Sequence, residues 1–347
     1  MNTPVQGSAV ESKQSLTRDA ESQPDRRTGA LMNVVLEHRR FLWLATAYLI
    51  IGGVFQLTLG RPWPIKLTTR LFAVSWLTAT VMYFAASAVI DWRGTWRGIT
   101  THRVGSAVLV ALFVAPIQIT FQSLKQSMGP VLGFWWDRPL SGIDKLIHFG
   151  PAWRLFEPFM TQPLVRALDM LYMMWFPLLV IFTAWCCWTT RRALRERAIL
   201  AWLLLWIGGG TIGAWVFSSG GPVYYAAIVG QPEPAYLELV EKLDTLGIEI
   251  ARRNHQAVWN LSQEDRWGPF AGISAMPSMH VAVVALYAMV AWRRWIPAGI
   301  AVWIFVLLTQ AGSVVLAWHY AIDGYVGILL AWTSWVLAGR WVGSRSE

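Results

Sequence analysis

The chain has 347 residues, is 55% hydrophobic, carries 23 Trp, and only 14% of its residues are charged. A soluble domain carries about a quarter charged residues, so this composition excludes an ordinary water-soluble protein and points to a surface that faces lipid. The net charge of +9 would suit nucleic acid on a soluble chain. Here the Lys and Arg fall mostly in short loops between apolar runs, where they report topology, and no nucleic-acid partner is expected.

Residues 1–30 are polar and rich in Ser, Gln, Asp and Arg. They predict a disordered cytoplasmic tail without a signal-peptide core. A spanning helix needs about 20 mostly apolar residues, and eight segments qualify: 41–60, 70–90, 104–122, 164–188, 198–217, 276–292, 296–317 and 320–341. The sixth is the shortest and carries Pro277 and His280. Residues 31–341 therefore read as one domain, an all-α polytopic transmembrane helix bundle of about eight spans, with 342–347 as a short cytoplasmic tail.

Basic residues orient the bundle. His38, Arg39 and Arg40 precede the first segment, and Arg93, Arg97 and Arg103 follow the second. Arg191, Arg192, Arg195 and Arg197 follow the fourth, Arg293 and Arg294 the sixth, and Arg340 and Arg345 close the chain. With eight spans all lie on one side, which the positive-inside rule makes cytoplasmic, both termini included. Arg61, Lys66 and Arg70 in the first opposite loop dissent mildly. Of the other opposite loops, 123–163 holds Trp135, Trp136, Asp137, Arg138, Asp144 and Lys145, and predicts short amphipathic pieces at the interface. Loop 218–275 opens on the turn signal Gly220-Gly221-Pro222 and continues into an acidic, helix-forming stretch from Pro234 to Arg253. Cys186 and Cys187 are adjacent and offer neither a long-range bridge nor metal spacing.

Segment six opens with Pro277-Ser278-Met279-His280, and segment eight with Trp318-His319-Tyr320-Ala321-Ile322-Asp323. Both openings fall on the outer side, so two His and an Asp meet the membrane at one level. His319 and Asp323 are spaced to share a helix face one turn apart. A carboxylate there fixes one ring nitrogen and leaves the other as a nucleophile. Taken singly, a His at a helix end is more often an interfacial or capping group, and Pro-Ser is an ordinary helix start. It is the matched depth and order that point to chemistry, since ionisable groups at the membrane edge are costly.

These two blocks resemble the last two signature blocks of the type 2 phosphatidic acid phosphatase superfamily, a likeness that extends over roughly residues 104–341. The resemblance implies that the last six spans form a phosphatidic-acid-phosphatase-like core. It makes His319 the nucleophile on phosphorus, Asp323 its orienter and His280 the acid for the leaving oxygen, with no metal and no cofactor. Met279, where phosphatases of the family usually have Gly, is more similar to inositolphosphorylceramide synthase and related headgroup phosphotransferases. So are Gly221-Pro222-Val223-Tyr224-Tyr225 and the run from Trp136-Asp137 through Asp144-Lys145 to Pro151. The family's first block is absent: Val131 stands seven residues before Arg138-Pro139 where a Lys is usual, and Ser313 replaces the Arg six residues before the nucleophile. Ser278, Tyr224, Gly221, Tyr320 and Arg266 are the candidate substrate- and phosphate-binding residues, with Arg252 and Arg253 behind them.

The expectation is an integral membrane lipid phosphotransferase or phosphatase with an extracytoplasmic site and a phosphohistidine intermediate. It takes a lipid phosphoester as substrate and transfers to a lipid alcohol, by the headgroup-transfer resemblance, or to water. A lipid or polyprenyl phosphate phosphatase is the first alternative. A transporter or lipid-binding protein without chemistry is the alternative of another class. Nothing in the chain signals an oligomeric state.

Overall fold

The computed structural model describes residues 26–60, 65–90, 99–264 and 271–343. Among them the regular structure is helical. Helices α1 (Arg26–Thr58), α2 (Ile65–Ile90) and α3 (Thr101–Leu132) lead into the amphipathic α4 (Asp137–His148). Two short 3₁₀ turns, Ala152–Leu155 and Glu157–Phe159, precede α5 (Gln162–Met173) and α6 (Trp175–Trp188). Then comes α7 (Arg192–Leu205), prolonged by a π-helical stretch, Trp206–Gly213, and a last turn, Ala214–Val216. A 3₁₀ turn, Pro222–Tyr224, opens the second long loop, which holds α8 (Tyr225–Val229), α9 (Pro234–Thr245) and α10 (Glu249–Gln263). The chain ends with α11 (Met279–Arg294), α12 (Ile296–Val315) and α13 (Ala321–Val342).

Helices stand at all eight predicted segments. Six stretches are long and apolar enough to cross a membrane: Met32–Thr58, His102–Leu132, Gln162–Trp188, Arg192–Val216, Ile296–Val315 and Ala321–Val342. This is an integral membrane protein. The second predicted segment is represented by a shorter apolar run, Ala73–Ala85. The sixth, α11, has only 16 residues, about 24 Å of helix. Val281 through Ala288 are all buried in it, because it packs between α12 and α13 and is apolar all round. The third segment runs ten residues past its expected end: Lys125 and Gln126 belong to α3 and not to the outer loop.

Two apolar clusters meet at the level of the segment openings. The larger joins α6, α7, α11 and α13 through residues such as Trp175, Trp202, Val284 and Trp335. The smaller lies under the long loops, around Trp153, Tyr172, Tyr236, Leu239, Leu316 and Tyr320. At the far end of the bundle the fully buried Glu37 carboxylate joins α1 to α3 and α7 through His102 (2.9 Å), Arg192 (2.9 Å) and Arg195.

Candidate active site

α13 begins where the chain leaves Trp318-His319-Tyr320, and its own first turn organises that approach. The Tyr320 N–H donates to Asp323 Oδ2 at 3.0 Å, as a side chain three residues into a helix does for an orphan amide. The same oxygen is 3.3 Å from His319 Nδ1. His319 is thus held by a carboxylate on one ring nitrogen, with its other nitrogen unconstrained by that pair. Asp323 is fully buried and His319 nearly so. Behind them the carbonyl of Ser313 accepts the N–H groups of Trp318 (3.0 Å) and His319 (3.1 Å).

α11 is docked onto this turn through its first residues. The Ser278 N–H donates to the Asp323 carbonyl at 3.0 Å, and a Cβ on Gly327 would fall 2.7 Å from the Ser278 oxygen. The Gly at that position is what lets α11 and α13 approach so closely. One turn of contact therefore brings His280 beside His319, ring centroids 6.0 Å apart at 63°. His280 is walled by Tyr172, stacked at 4.7 Å, and by Trp175 at 4.5 Å. Ser278 Oγ is fully buried and without a hydrogen-bond partner, at a helix N-terminus whose first amides are donors without helical acceptors.

Two aspartates of α4, spaced two turns apart, tie the first long loop to this turn. Asp137 is fully buried and accepts three hydrogen bonds, from Gly220 N–H (2.8 Å), Gly221 N–H (2.9 Å) and Tyr320 O–H (2.8 Å). Burial pushes its carboxyl above the ordinary range, and the three donors act against that shift. Asp144 accepts the Ile322 N–H at 3.1 Å, a cap on the first turn of α13; burial raises its carboxyl likewise. Gly221, at φ +91°, lies so close to the Trp318-His319-Tyr320 turn that a Cβ would be 2.4 Å from the Trp318 carbonyl.

The predicted site residues divide accordingly. His319, Asp323, His280 and Ser278 converge, Gly221 lies against Trp318, and the Tyr320 hydroxyl is engaged by Asp137 on the loop side. Tyr224 goes elsewhere: its hydroxyl donates to the His255 carbonyl at 2.8 Å and its ring stacks on Trp259 at 5.2 Å. His255 sits against Trp318 at 4.1 Å, its imidazole pushed down to about 4 by burial. Arg252 and Arg253 are exposed and pair with Asp244 and Glu249, while Arg266 lies outside the described residues. Sequence reasoning gave no role in the site to Asp137, Asp144, Tyr172 or Trp175. The two aspartates left a signal in the amphipathic spacing of α4; Tyr172 and Trp175 left none, being ordinary residues of an apolar run.

A paired His and Asp at one helix start, facing a second His at another, is an arrangement capable of nucleophilic displacement with acid assistance. A family model described as the PAP2 superfamily matches residues 138–337, more than half of the chain, His280, His319 and Asp323 included. The chain belongs to the PAP2 superfamily. Members of the PAP2 superfamily are in general phosphatases or phosphotransferases. No curated protein and no solved structure matches the chain.

Proposed function

We propose that this PAP2 protein transfers a phosphoryl-containing group from a lipid phosphoester through a phosphohistidine on His319, at the extracytoplasmic face. The observation that carries the proposal is the 3.3 Å pair of His319 and Asp323 with the His280 ring centroid 6.0 Å from that of His319. One phosphoester can touch both rings. Asp323 holds the Nδ1–H of His319 and stabilises the cation formed on attack, while Nε2 bonds to phosphorus. The P–O bond to the leaving alcohol breaks, and His280 gives that oxygen its proton. Ser278 Oγ and the first amides of α11 are donors for the equatorial oxygens, where charge gathers. His280, having lost its proton, then takes one from the incoming hydroxyl, which attacks phosphorus and frees His319.

The acceptor decides the name of the activity. Met279 and the Gly221–Tyr225 run favour headgroup transfer to a lipid alcohol, of the kind inositolphosphorylceramide synthase performs.

The test is incubation of detergent-purified protein with phospholipids and polyprenyl phosphates, with and without ceramide or another lipid alcohol. Products are scored by mass spectrometry and the phosphoenzyme is trapped by acid-free quench. Wild type is expected to form an acid-labile phosphoenzyme that His319→Ala lacks. New phosphoesters mark transfer, and free phosphate marks hydrolysis. Turnover surviving in His319→Ala would end the assignment of the nucleophile.

A further inference from the structure

A bound phosphoryl group brings negative charge into a site shielded from water, and charge-assisted donors are what hold it there. The two cations that the superfamily's signature blocks supply are replaced here by Val131 and Ser313. Ser313 is no substitute: its hydroxyl donates to the Gln310 carbonyl and its own carbonyl is taken by Trp318 and His319.

Lys125 stands in the outer part of the α3 span, half-buried, one turn beyond Phe121. Its neighbours fix its place. The Phe121 ring packs on Trp206 with centroids 4.6 Å apart, and fills the space where a Cβ on Gly210 would come within 3.0 Å. Gln122 donates to the Ala271 carbonyl, and the backbone of Gln126 touches Gly272. Helices α3 and α7 run in the same direction, so one turn beyond Phe121 brings Lys125 to the level of Gly213. A Cβ on Gly213 would meet Pro277 at 3.3 Å. The glycine-rich π-helical stretch therefore puts little bulk between Lys125 and the Pro277-Ser278-Met279-His280 turn.

Beside His319, Lys125 is the one Lys or Arg among the described residues whose charge acts on His280. No carboxylate and no hydrogen-bond acceptor among the described residues acts on it. An unpaired ammonium in a span is costly, and such groups mark substrate or ion pathways. Its four-carbon stem has the reach to bring the head to the membrane edge.

We infer that Lys125 is the phosphate-binding cation of this site, reaching from α3 to the phosphoryl group between His280 and His319 in place of the superfamily's Lys and Arg. The inference rests on the phosphohistidine reading of the site. It extends the ligand set to three elements: the starts of α11 and α13, and α3.

The probe is orthovanadate, an analogue of the transferring phosphoryl group, titrated against the full-length protein in detergent. Wild type, Lys125→Met, Lys125→Arg and His319→Ala are compared, with phosphoenzyme formation and melting temperature measured on each. Lys125→Met is expected to weaken vanadate binding at least about 10-fold and to slow phosphoenzyme formation about 10²-fold. Its melting temperature should equal or exceed that of wild type, because an unpaired charge within a span is removed. Lys125→Arg, which keeps the charge, should recover most of the vanadate affinity; a merely structural lysine would give no such pattern. Vanadate affinity in Lys125→Met equal to that of wild type would overturn the inference, as would an Arg variant no better than the Met variant. Should Lys125→Met not fold, Lys125→Gln answers the same question. A wild-type protein that neither binds vanadate nor forms a phosphoenzyme would remove the phosphohistidine reading itself, and the role of Lys125 with it.

Discussion

At the scale of single residues, Asp137 is expected to act on the proposed reaction without taking part in it. It accepts from two loop amides and from the Tyr320 hydroxyl, and Tyr320 is the neighbour of His319, the proposed nucleophile. Asp137→Ala would leave three buried donors without an acceptor, at about 1–3 kcal/mol for each one. The expected outcome is a lower melting temperature together with a fall of about 10²-fold in kcat, the effect of a small displacement of a reacting group. Asp137→Asn keeps a single acceptor oxygen, so it should fall between wild type and Ala in both measurements. A variant with full activity and normal melting would show that the clasp does not position His319.

At the scale of elements, the site depends on how closely two helix starts and a turn are allowed to approach. Gly327 admits the Ser278 carbonyl, and Gly221 admits the Trp318 carbonyl. Gly327→Ala puts a Cβ 2.7 Å from that oxygen and forces α11 and α13 apart. Gly221→Ala adds the strain of φ +91° to a 2.4 Å approach. Both are expected to reduce phosphoenzyme formation by at least about 10²-fold, with the Gly221 variant also less stable. Gly142→Ala in α4, where a Cβ meets nothing within 4 Å, is the control and should be silent. Equal activity in all three, measured by the same trapped phosphoenzyme, would show that close approach of α11 to α13 is not needed. The sequence located both helix starts to within three residues, because Pro and the apolar runs mark them. It marked Gly221 as part of a turn and a candidate binding residue and left Gly327 unremarked; the close approaches they allow are to atoms more than 90 residues away from Gly221 and nearly 50 from Gly327.

At the scale of the whole molecule, polarity and charge divide the bundle into two ends. The Glu37 cluster and the Arg-rich turns lie at one end, and the paired histidines and long loops at the other. Around the loops Leu146, Phe149, Leu155 and Phe159 are exposed, an apolar rim suited to the headgroup layer. By the positive-inside rule the site end is expected outside. Cys186 and Cys187 are buried, so single cysteines introduced at Phe149, which is 99% exposed, and at Trp295 in the α11–α12 turn, 63% exposed, report on the two ends. On intact cells a membrane-impermeant maleimide should label Phe149→Cys and spare Trp295→Cys; the opposite pattern would reverse the orientation.

The apolar runs alone determined that this chain is a helical membrane protein, because a bilayer admits a helix only where about 20 residues in sequence are apolar. Local spacing alone paired His319 with Asp323, because a helix brings residues four apart onto one face. Tertiary structure decided the rest. It extended α3 so that Lys125 lies within a span, and it made α11 short because protein and not lipid surrounds it. It sent the Tyr224 hydroxyl to His255 and gave Asp137 the task of joining two loops. Those outcomes depend on which backbone donors, glycines and rings meet across the bundle, and contacts between residues far apart in the chain leave no periodic trace in the sequence.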